Sequence, residues 1–321
     1  MTAEKKELKI LIIGMAGGLA QLTSRLILKN NPHAKILGID SRDLSQCPKL
    51  KGIEYMRMKY SRGNFENIFR SFEFDIVFHL ARVSHSSNKN DDVSKRLDLN
   101  LMGTNRILSL CLSFKVKKLI ILSTYHVYGS LPDNFVFIPE NSPLQASIHY
   151  PELRDVVEMD QLCTGWMWKN QKEMSTVVLR PCNIIGTQIQ NAITKYLTGR
   201  LTLNPVDFNP MFQFIHEFDM ASILERAIEE LPTGVYNVAP NDFISIKEAL
   251  EQVQGQSIPF PVSLGKPINK LLKFFGMDVP DYFIDYLKYS CLIDNQAIKK
   301  HLGEKFYRYN VRETLDLISM R

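Results

Sequence analysis

The chain has 321 residues, of which 45% are hydrophobic and 23% charged, and its net charge is +5. This composition predicts a globular protein with a sizeable core and excludes a chain that is disordered throughout. The lysines and arginines are scattered rather than clustered with aromatic residues, so the charge does not indicate a nucleic-acid-binding protein.

The number and spacing of the cysteines indicate the redox environment of the protein and whether it has a metal site. The five cysteines are far apart and form no CxxC pair, which argues against a disulfide framework and against a zinc site. We therefore predict a cytoplasmic protein without a structural metal, since no other cluster of His, Cys, Asp or Glu has metal-ligand spacing. The cysteines are Cys47, Cys111, Cys163, Cys182 and Cys291.

An apolar run near the start, ILIIGMAGGLA, follows Lys5 and Lys6 and superficially resembles an export signal. Glu4 and Glu7 interrupt the positive flank, and the run divides into a strand-like ILII and a glycine-rich turn. No segment approaches the roughly 18 unbroken apolar residues of a membrane span. We interpret the run as a first strand and predict no membrane-spanning segment.

The first half alternates short apolar runs with helical patterns. Strands that are apolar on both faces and separated by helices indicate a parallel sheet covered on both sides. The expected fold is therefore α/β, a Rossmann-type doubly wound parallel sheet. The predicted strands are KILIIG (9–14), AKILGID (34–40), FDIVFHLA (74–81), KKLIILST (117–124) and TVVLRPCNI (176–184).

The pattern loosens after Gly186 into a segment rich in Asn, Pro and Phe, followed by a helix, a further strand and a mostly helical tail. We predict a smaller C-terminal lobe over the carboxyl ends of the strands, where open α/β sheets bind ligands. The expected nucleotide-binding domain comprises residues 1–183 and about 212–240. The expected substrate-binding lobe comprises 184–211 and 241–321.

The segment GMAGGLA places Gly14, Gly17 and Ala20 directly after the first strand and before a helix. Glycines allow a tight turn, so that backbone N–H groups at the helix N-terminus approach a pyrophosphate. The third position needs only a small residue, because the helix must lie close to the strand. A dinucleotide site is predicted; the alternative is a packing turn.

Asp40 ends the second predicted strand, twenty positions beyond Ala20, where an acidic residue meets the ribose 2′-hydroxyl of NAD. Its carboxylate would repel a 2′-phosphate, so the sequence favours NAD over NADP. Arg42 opposes this preference, because a guanidinium accommodates the phosphate.

Later motifs extend the pattern in a recognisable order. With the glycine loop they make the chain resemble an extended short-chain dehydrogenase/reductase of the NAD-dependent epimerase/dehydratase family. The resemblance runs from about residue 8 to the C-terminus and is most specific in the first half. The motifs are FHLA (78–81), NLMGT (100–104), STYHVYGS (123–130), Tyr150 and LRPCNIIG (179–186).

The resemblance implies an enzyme that holds NAD on the sheet and oxidises a substrate hydroxyl, often on a nucleotide sugar, and it implies a homodimer. Members use a Ser or Thr, a Tyr and a Lys, which selects Thr124 and Tyr150 as catalytic residues. Arg154 stands where the lysine is expected. Epimerase, dehydratase and reductase outcomes are not separated by these motifs.

The expected residue types follow from acid/base chemistry. A phenol with a pKa near 10 is a poor base at neutral pH unless a cation favours the phenolate. Residues four apart on one helix share a face, so Arg154 would lie beside Tyr150, although arginine is a poor proton carrier. Pro151 fits a first helical position, which would put Tyr150 at the cap. His149 or His126 would then share the proton transfer.

Ordinary structural roles compete with these assignments. The alternative for Tyr150 and Arg154 is a helix beginning with a surface arginine. The alternative for His126 is a strand-end residue that lines the pocket, and Asn100 is as readily structural as catalytic. Lys59 stands after the third strand, where many relatives have an acidic residue near the adenine, so that contact is in doubt.

The remaining assignments come residue by residue from the resemblance and the glycine loop. The substrate-binding residues implied are His126, Asn183 and Arg82. The cofactor-binding residues implied are Gly14, Gly17, Gly18, Leu19, Ala20, Asp40, Leu80, Ala81, Asn100 and Pro181.

The segment 266–277, KPINKLLKFFGM, has apolar residues at helical spacing with lysines between them. It indicates either a lobe helix packed on the core or a membrane-surface or lid helix over a greasy substrate. This segment keeps open a dehydrogenase for a sterol-like or lipid alcohol. The arginine at position 154 in place of lysine keeps open a second alternative, a catalytically weakened NAD-binding sensor or partner protein.

Overall fold

The computed structural model describes residues 7–81, 98–189, 191–199, 201–253, 256–264 and 282–319. Arg82 and the helix predicted over 266–277 lie outside these described residues.

A parallel sheet of seven strands forms the centre of the described chain, in the spatial order β11-β6-β5-β4-β1-β2-β3, and it confirms the predicted fold class. In chain order the strands are β1 (Lys9–Ile13), β2 (Lys35–Asp40), β3 (Ile53–Arg57), β4 (Ile76–His79), β5 (Lys118–Leu122), β6 (Ser175–Pro181), β7 (Asn183–Ile185), β8 (Leu201–Pro205), β9 (Met211–Phe212), β10 (Phe214–His216), β11 (Gly234–Val238), β12 (Ile244–Ser245) and β13 (Gln256–Phe260).

Helices cover both faces of this sheet, because successive side chains of its strands point to opposite sides. On β1, Ile10 and Ile12 pack into one core, and Leu11 and Ile13 pack into the other. The helices are α1 (Gly18–Asn30), α2 (Arg62–Ser71), α3 (Gly103–Ser113), α4 (Ala146–His149), α5 (Arg154–Asn170), α6 (Ala192–Leu197), α7 (Glu217–Arg226), α8 (Ile246–Val253), α9 (Phe283–Tyr286), α10 (Gln296–Leu302) and α11 (Val311–Ser319).

The two cores use different helices. Buried residues of α1 and α7 pack with those of the C-terminal helices on one face, and α2 and α3 pack on the other. Among the described helices, none has the length and apolarity that crossing a membrane requires.

Three short strand pairs lie outside the main sheet. β7 pairs with β10, β8 with β13, and β9 with β12. They are built from residues beyond 182, in the region where the sequence predicts a second lobe. The domain boundaries themselves stay a prediction.

The order of the strands reverses between β1 and β4, which are neighbours in the sheet although two strands separate them in sequence. In doubly wound sheets a crevice opens at such a reversal, outside the carboxyl ends of the strands. Gly14 follows β1, Asp40 ends β2, and Leu80 and Ala81 follow β4. The topology therefore brings these four residues to one edge.

A buried ion pair joins α5 to the end of β6. Arg180 is 3% exposed and Asp160 is fully buried, and Arg180 Nη2 lies 2.5 Å from Asp160 Oδ1. Arg180 Nε donates to Asp160 Oδ2 at 3.0 Å, and Ser123 Oγ donates to the same oxygen. Arg180 Nη1 also donates to the hydroxyl of Tyr128 at 2.9 Å. This network fixes the residue before Thr124 against two secondary-structure elements.

Candidate functional site

The loop between β1 and α1 presses its backbone against the end of β4. Gly14 has a φ of +99°, a conformation that residues with a side chain rarely adopt. A Cβ on Gly14 would lie 2.8 Å from the backbone N of Ala81. The Gly17 N–H donates to the Gly14 carbonyl at 3.0 Å, and α1 begins at Gly18. The first turn of α1 buries Leu19 and Ala20. The turn therefore packs closely on the end of β4 and leads into a helix N-terminus, the kind of position that binds a pyrophosphate.

Asp40 is 2% exposed and faces this loop. Its Oδ2 accepts from the Ala16 N–H at 3.0 Å and from Arg42 Nη2 at 2.9 Å. Its Oδ1 accepts from Arg42 N at 2.9 Å and from Arg42 Nε at 3.1 Å. Burial opposes ionisation, but these hydrogen bonds and the Arg42 charge hold the pKa of Asp40 below its usual range. The Asp40 carboxylate is therefore ionised, and the Arg42 guanidinium donates hydrogen bonds to both of its oxygens.

Removing that guanidinium should change cofactor preference. In an Arg42→Ala variant the freed Asp40 charge would repel a 2′-phosphate, and the cation that accommodates the phosphate would be gone. We expect the ratio of the NADP Kd to the NAD Kd to rise about tenfold, the loss typical of a charge-assisted hydrogen bond. Titrations of both dinucleotides measure the ratio, with exposed Arg25→Ala on α1 as control. An unchanged ratio would contradict the role given to Arg42.

A cavity of about 940 Å³ runs along the carboxyl ends of β1, β2 and β4. It includes the predicted cofactor residues Gly14, Gly17, Asp40, Leu80, Ala81 and Asn100 in its lining. The structure therefore brings together residues that the sequence holds up to 86 positions apart. The other predicted cofactor residues are not among those that line the cavity: they are Gly18, Leu19 and Ala20 at the start of α1, and Pro181 at the end of β6.

Three further side chains of this lining carry a buried polar atom that makes no hydrogen bond within the described residues. They are Tyr60 Oη, His79 Nδ1 and Arg106 Nε. A buried polar atom without a partner costs about 1–3 kcal/mol, so such groups around one cavity indicate a ligand that completes their hydrogen bonds. With the glycine turn and Asp40, the cavity fits a dinucleotide.

None of these three residues is predicted from the sequence. Tyr60 directly follows Lys59, which stands after β3 where many relatives have an acidic residue near the adenine, and this position is the signal that could have pointed to Tyr60. His79 lies within the FHLA motif, and Arg106 follows the NLMGT motif by two residues. Nothing in the local pattern shows that their polar atoms are left without partners.

His79 is buried between β4 and α3. Its Nε2 lies 2.8 Å from Thr104 Oγ1, which ties the FHLA motif to the NLMGT motif. Burial lowers the pKa of His79 to about 4. The ring is therefore neutral at physiological pH and carries no charge into the cofactor cavity.

His79 should make stability fall on mild acidification. Its unfolded pKa is 6.5 and its folded pKa about 4, so the unfolded chain binds more protons between these values and stability declines as pH falls through that window. From pH 8 to pH 5 we expect a loss of about 2 kcal/mol from this group. Urea denaturation of the wild type and of His79→Gln at both pH values measures it. Equal pH dependence in the two proteins would show that the histidine is not responsible.

Asn100 is anchored from behind the cavity. Its Nδ2 donates to Asp155 Oδ2 at 2.7 Å, and both side chains are buried. This contact ties the helical turn Asp98–Met102, which precedes α3, to the first turn of α5. Asn100 thus combines a structural bond with a place in the cavity lining.

Thr124 follows β5 and begins a short helical turn, Tyr125–Val127. Its Oγ1 lies 2.9 Å from His126 Nδ1, a pair in which the tautomer of the ring decides which atom donates. The His126 ring is partly exposed and packs on Tyr125 and Tyr286 at centroid distances of 4.3 and 5.0 Å. A hydroxyl and an imidazole are thereby in direct contact at the end of a central strand.

Tyr150 lies at the start of a helical turn, Pro151–Leu153, where Pro151 takes the first position. Its hydroxyl donates to the Ser130 carbonyl at 2.8 Å. Burial, together with the nearby Asp285 carboxylate, raises the pKa of Tyr150 above its usual range. In this state the phenol is less readily ionised than free tyrosine, so little phenolate is present to act as a base.

Arg154 lies at the surface. Its side chain is 62% exposed, and its Nε donates to Glu158 Oε1 at 2.6 Å. Because α5 begins at Arg154, Tyr150 precedes the helix and the two residues do not share a helix face. The guanidinium is therefore directed to solvent and to Glu158, and a catalytic role for Arg154 stays a prediction.

Asn183 is buried at the start of β7 and engaged on both sides of its amide. Its Oδ1 accepts from the Tyr125 hydroxyl at 3.0 Å, and its Nδ2 donates to the Gln213 carbonyl at 3.3 Å. The contacts position Tyr125, whose ring packs on His126. A direct substrate contact by Asn183 stays a prediction.

A second cavity, of about 590 Å³, opens beside Tyr150. Two carboxylates, an amide and an imidazole line it, which are groups that hydrogen-bond hydroxyls. Aromatic contacts link this cavity to His126. The Tyr282 ring centroid lies 6.4 Å from that of Tyr150 and 5.6 Å from that of His126. The lining residues are Ser130, Leu131, Pro132, Asp133, Gln145, His149, Tyr150, Asp285 and Tyr289.

Comparisons with known proteins agree with this geometry. A family model described as the NAD dependent epimerase/dehydratase family matches residues 10–239. An uncharacterised protein of Mycobacterium tuberculosis is 22% identical over 290 residues, covering 88% of this chain and 75% of the relative.

Two solved structures are similar over nearly the whole chain. UDP-glucose 4-epimerase of Thermotoga maritima, solved with UDP-glucose, superimposes with a TM-score of 0.73 and 17% identity, covering 98% of both chains. dTDP-glucose 4,6-dehydratase of Bacillus anthracis, solved with NAD, gives 0.72 and 18%, covering 98% of this chain and 96% of the other. At these identities the likeness is one of fold.

Proposed function

This chain belongs to the NAD dependent epimerase/dehydratase family, and from that membership we propose that it is an enzyme that binds NAD and acts on a hydroxyl of a nucleotide sugar. The observation that carries the proposal is the cavity at the ends of β1, β2 and β4, where the Gly14 turn, Asp40 and three unsatisfied polar atoms of the described residues meet.

NAD is the proposed cofactor. Gly14, Gly17 and the N-terminus of α1 would hold its pyrophosphate, and Asp40 would meet the adenosine ribose. Bound there, NAD would supply hydride acceptance from the substrate carbon. NADP is the less favoured dinucleotide, and the Arg42 contact with Asp40 defines the measurement that separates them.

For the proton, we propose that Thr124 and His126 act as a pair. Thr124 would orient the substrate oxygen, and His126, in contact with Oγ1, would take the proton, since an imidazole titrates near neutrality without a neighbouring cation. Tyr150 is the second candidate base; it would first have to leave the Ser130 carbonyl. Arg154 has no proposed part in the proton transfer.

The nucleotide sugar is proposed from the relatives. UDP-glucose is bound by the Thermotoga maritima epimerase, and the polar cavity beside Tyr150 offers carboxylates and an amide suited to sugar hydroxyls. We propose Asp285, Gln145 and His149 as sugar contacts. A cytoplasmic homodimer is also proposed from the family resemblance, and light scattering of the purified protein tests its oligomeric state.

Native mass spectrometry with NAD, NADP and a panel of UDP- and dTDP-sugars tests the proposal, followed by product analysis of any sugar that binds. We expect NAD binding and conversion of at least one nucleotide sugar. Failure to bind any dinucleotide would refute the proposal. Binding without turnover on sugars or lipid alcohols would instead identify an NAD-binding protein without this chemistry.

A further inference from the structure

A buried carboxylate holds a short loop beside the start of α1. Glu217 is the first residue of α7, and its side chain is almost fully buried. Its Oε1 accepts from Thr187 N at 2.9 Å and from Thr187 Oγ1 at 3.1 Å, and its Oε2 accepts from Gln188 N at 2.9 Å. Three donors of the loop 186–188 thus converge on one carboxylate.

The loop is shaped to receive this carboxylate. A Cβ on Gly186 would lie 2.2 Å from Glu217 Cδ and 2.5 Å from Glu217 Oε2. A carboxyl carbon cannot move so far aside without giving up its hydrogen bonds to residues 187 and 188. Gly186 and Glu217 therefore form a matched pair, in which the absent side chain makes room for the carboxylate.

The other side of the same loop touches the dinucleotide turn. A Cβ on Gly18 would lie 2.7 Å from the carbonyl oxygen of Gln188 and 2.8 Å from its Cβ. Gln188 thus sits directly on the first residue of α1, the helix N-terminus proposed to receive the pyrophosphate. Helices α1 and α7 also pack against each other, so the three parts form one packed unit directly beside Gly17, which lines the cavity.

We propose that Glu217 is a positioning residue for the cofactor: by fixing loop 186–188 on Gly18 it shapes the entrance where the pyrophosphate of NAD binds. This inference rests on the proposed NAD site. The physical basis is that hydrogen bonds to a buried carboxylate are strong and directional. Loss of the charge would release the loop while leaving the Asp40 end of the cleft unchanged.

The test compares two ligands in Glu217→Gln. The substitution replaces one carboxylate oxygen with an NH₂ group. This group is a donor, so it cannot accept the hydrogen bond that a backbone N–H now donates to the carboxylate. We expect the NAD Kd to rise about tenfold, while the Kd of adenosine, which lacks the pyrophosphate, changes by less than about twofold. Gly186→Ala, which displaces the carboxylate from the other side, should give the same pattern. Exposed Glu229→Gln, just beyond α7, is the matched control.

The outcomes separate the inference from the proposed function. A wild type that binds no NAD would refute both. A wild type that binds NAD, with Glu217→Gln binding it equally well, would refute the positioning role alone. Equal weakening of NAD and adenosine in both variants would also refute it, because it would show a general loss of structure. Calorimetric titration measures NAD, and NMR titration measures the weaker adenosine.

Discussion

Replacing Asp160 with alanine should lower the free energy of unfolding by about 3–5 kcal/mol, because it leaves the buried Arg180 guanidinium without its counter-charge. The pair is enclosed: Asp160 has no exposed surface, and Arg180 has 3%. The variant also deprives the Ser123 hydroxyl of its acceptor. Equilibrium urea denaturation followed by circular dichroism measures the change.

A matched control lies two residues away on the same helix. Glu158 also pairs with an arginine, Arg154, but that arginine is 62% exposed, so water and salt screen the interaction. Glu158→Ala should therefore cost far less than Asp160→Ala, because an exposed ion pair on a helix contributes little to stability. If Asp160→Ala cost no more than this control, burial would not be what makes the Arg180 pair important.

Because Ser123 precedes Thr124, the same network bears on the site. Release of Ser123 and Arg180 would loosen the segment that carries Thr124 and His126. The stability prediction and the catalytic prediction below therefore concern neighbouring parts of one structure, and their effects need not be additive.

The second large effect concerns the proton. Once a substrate is identified, we expect His126→Asn to lower kcat by about 100-fold or more, the range typical for loss of a general acid or base. Thr124→Val should lower kcat similarly, because the pair would be broken from the other side. In His126→Asn, which removes the imidazole, the pH dependence of kcat should also lose the limb that the imidazole would supply.

Tyr150→Phe and Arg154→Lys provide the comparison. Tyr150 is bonded to a backbone carbonyl and its pKa is raised, so Tyr150→Phe should cost less than about tenfold in kcat. Arg154→Lys should leave activity nearly unchanged, since its guanidinium faces solvent. If Tyr150→Phe lowered kcat more than His126→Asn does, Tyr150 rather than His126 would be the base. A rise or a collapse of activity in Arg154→Lys would place that side chain in the mechanism.

These expectations differ from those of the sequence because of one helix boundary. Four residues separate Tyr150 from Arg154, and this spacing puts two side chains together only when both lie on one helix. Pro151 starts a separate turn, and α5 begins at Arg154 itself. Tyr150 and Arg154 therefore have the expected spacing in the sequence but do not lie on one face of a helix.

The sheet and the place of the cleft can be predicted from the sequence. Strands that are apolar on both faces specify a parallel sheet, and β1, β2, β4, β5 and β6 lie where the pattern predicts them, within a few residues at each end. The glycine spacing after β1 and the acid at the end of β2 are local features, because turn geometry depends on neighbouring residues. Such signals are readable without any tertiary contact.

Which side chains have hydrogen-bond partners, in contrast, depends on the tertiary fold. Arg42 donates hydrogen bonds to Asp40. Among the described residues, Tyr60 and His79 each have a polar atom without a hydrogen-bond partner in the cleft. Glu217 accepts hydrogen bonds from a loop thirty residues earlier in the chain. Burial and hydrogen bonding depend on elements far apart in sequence, so no local pattern contains them. The sequence thus located the dinucleotide turn, whereas the fold decided that Arg154 faces water and that Thr124 meets His126.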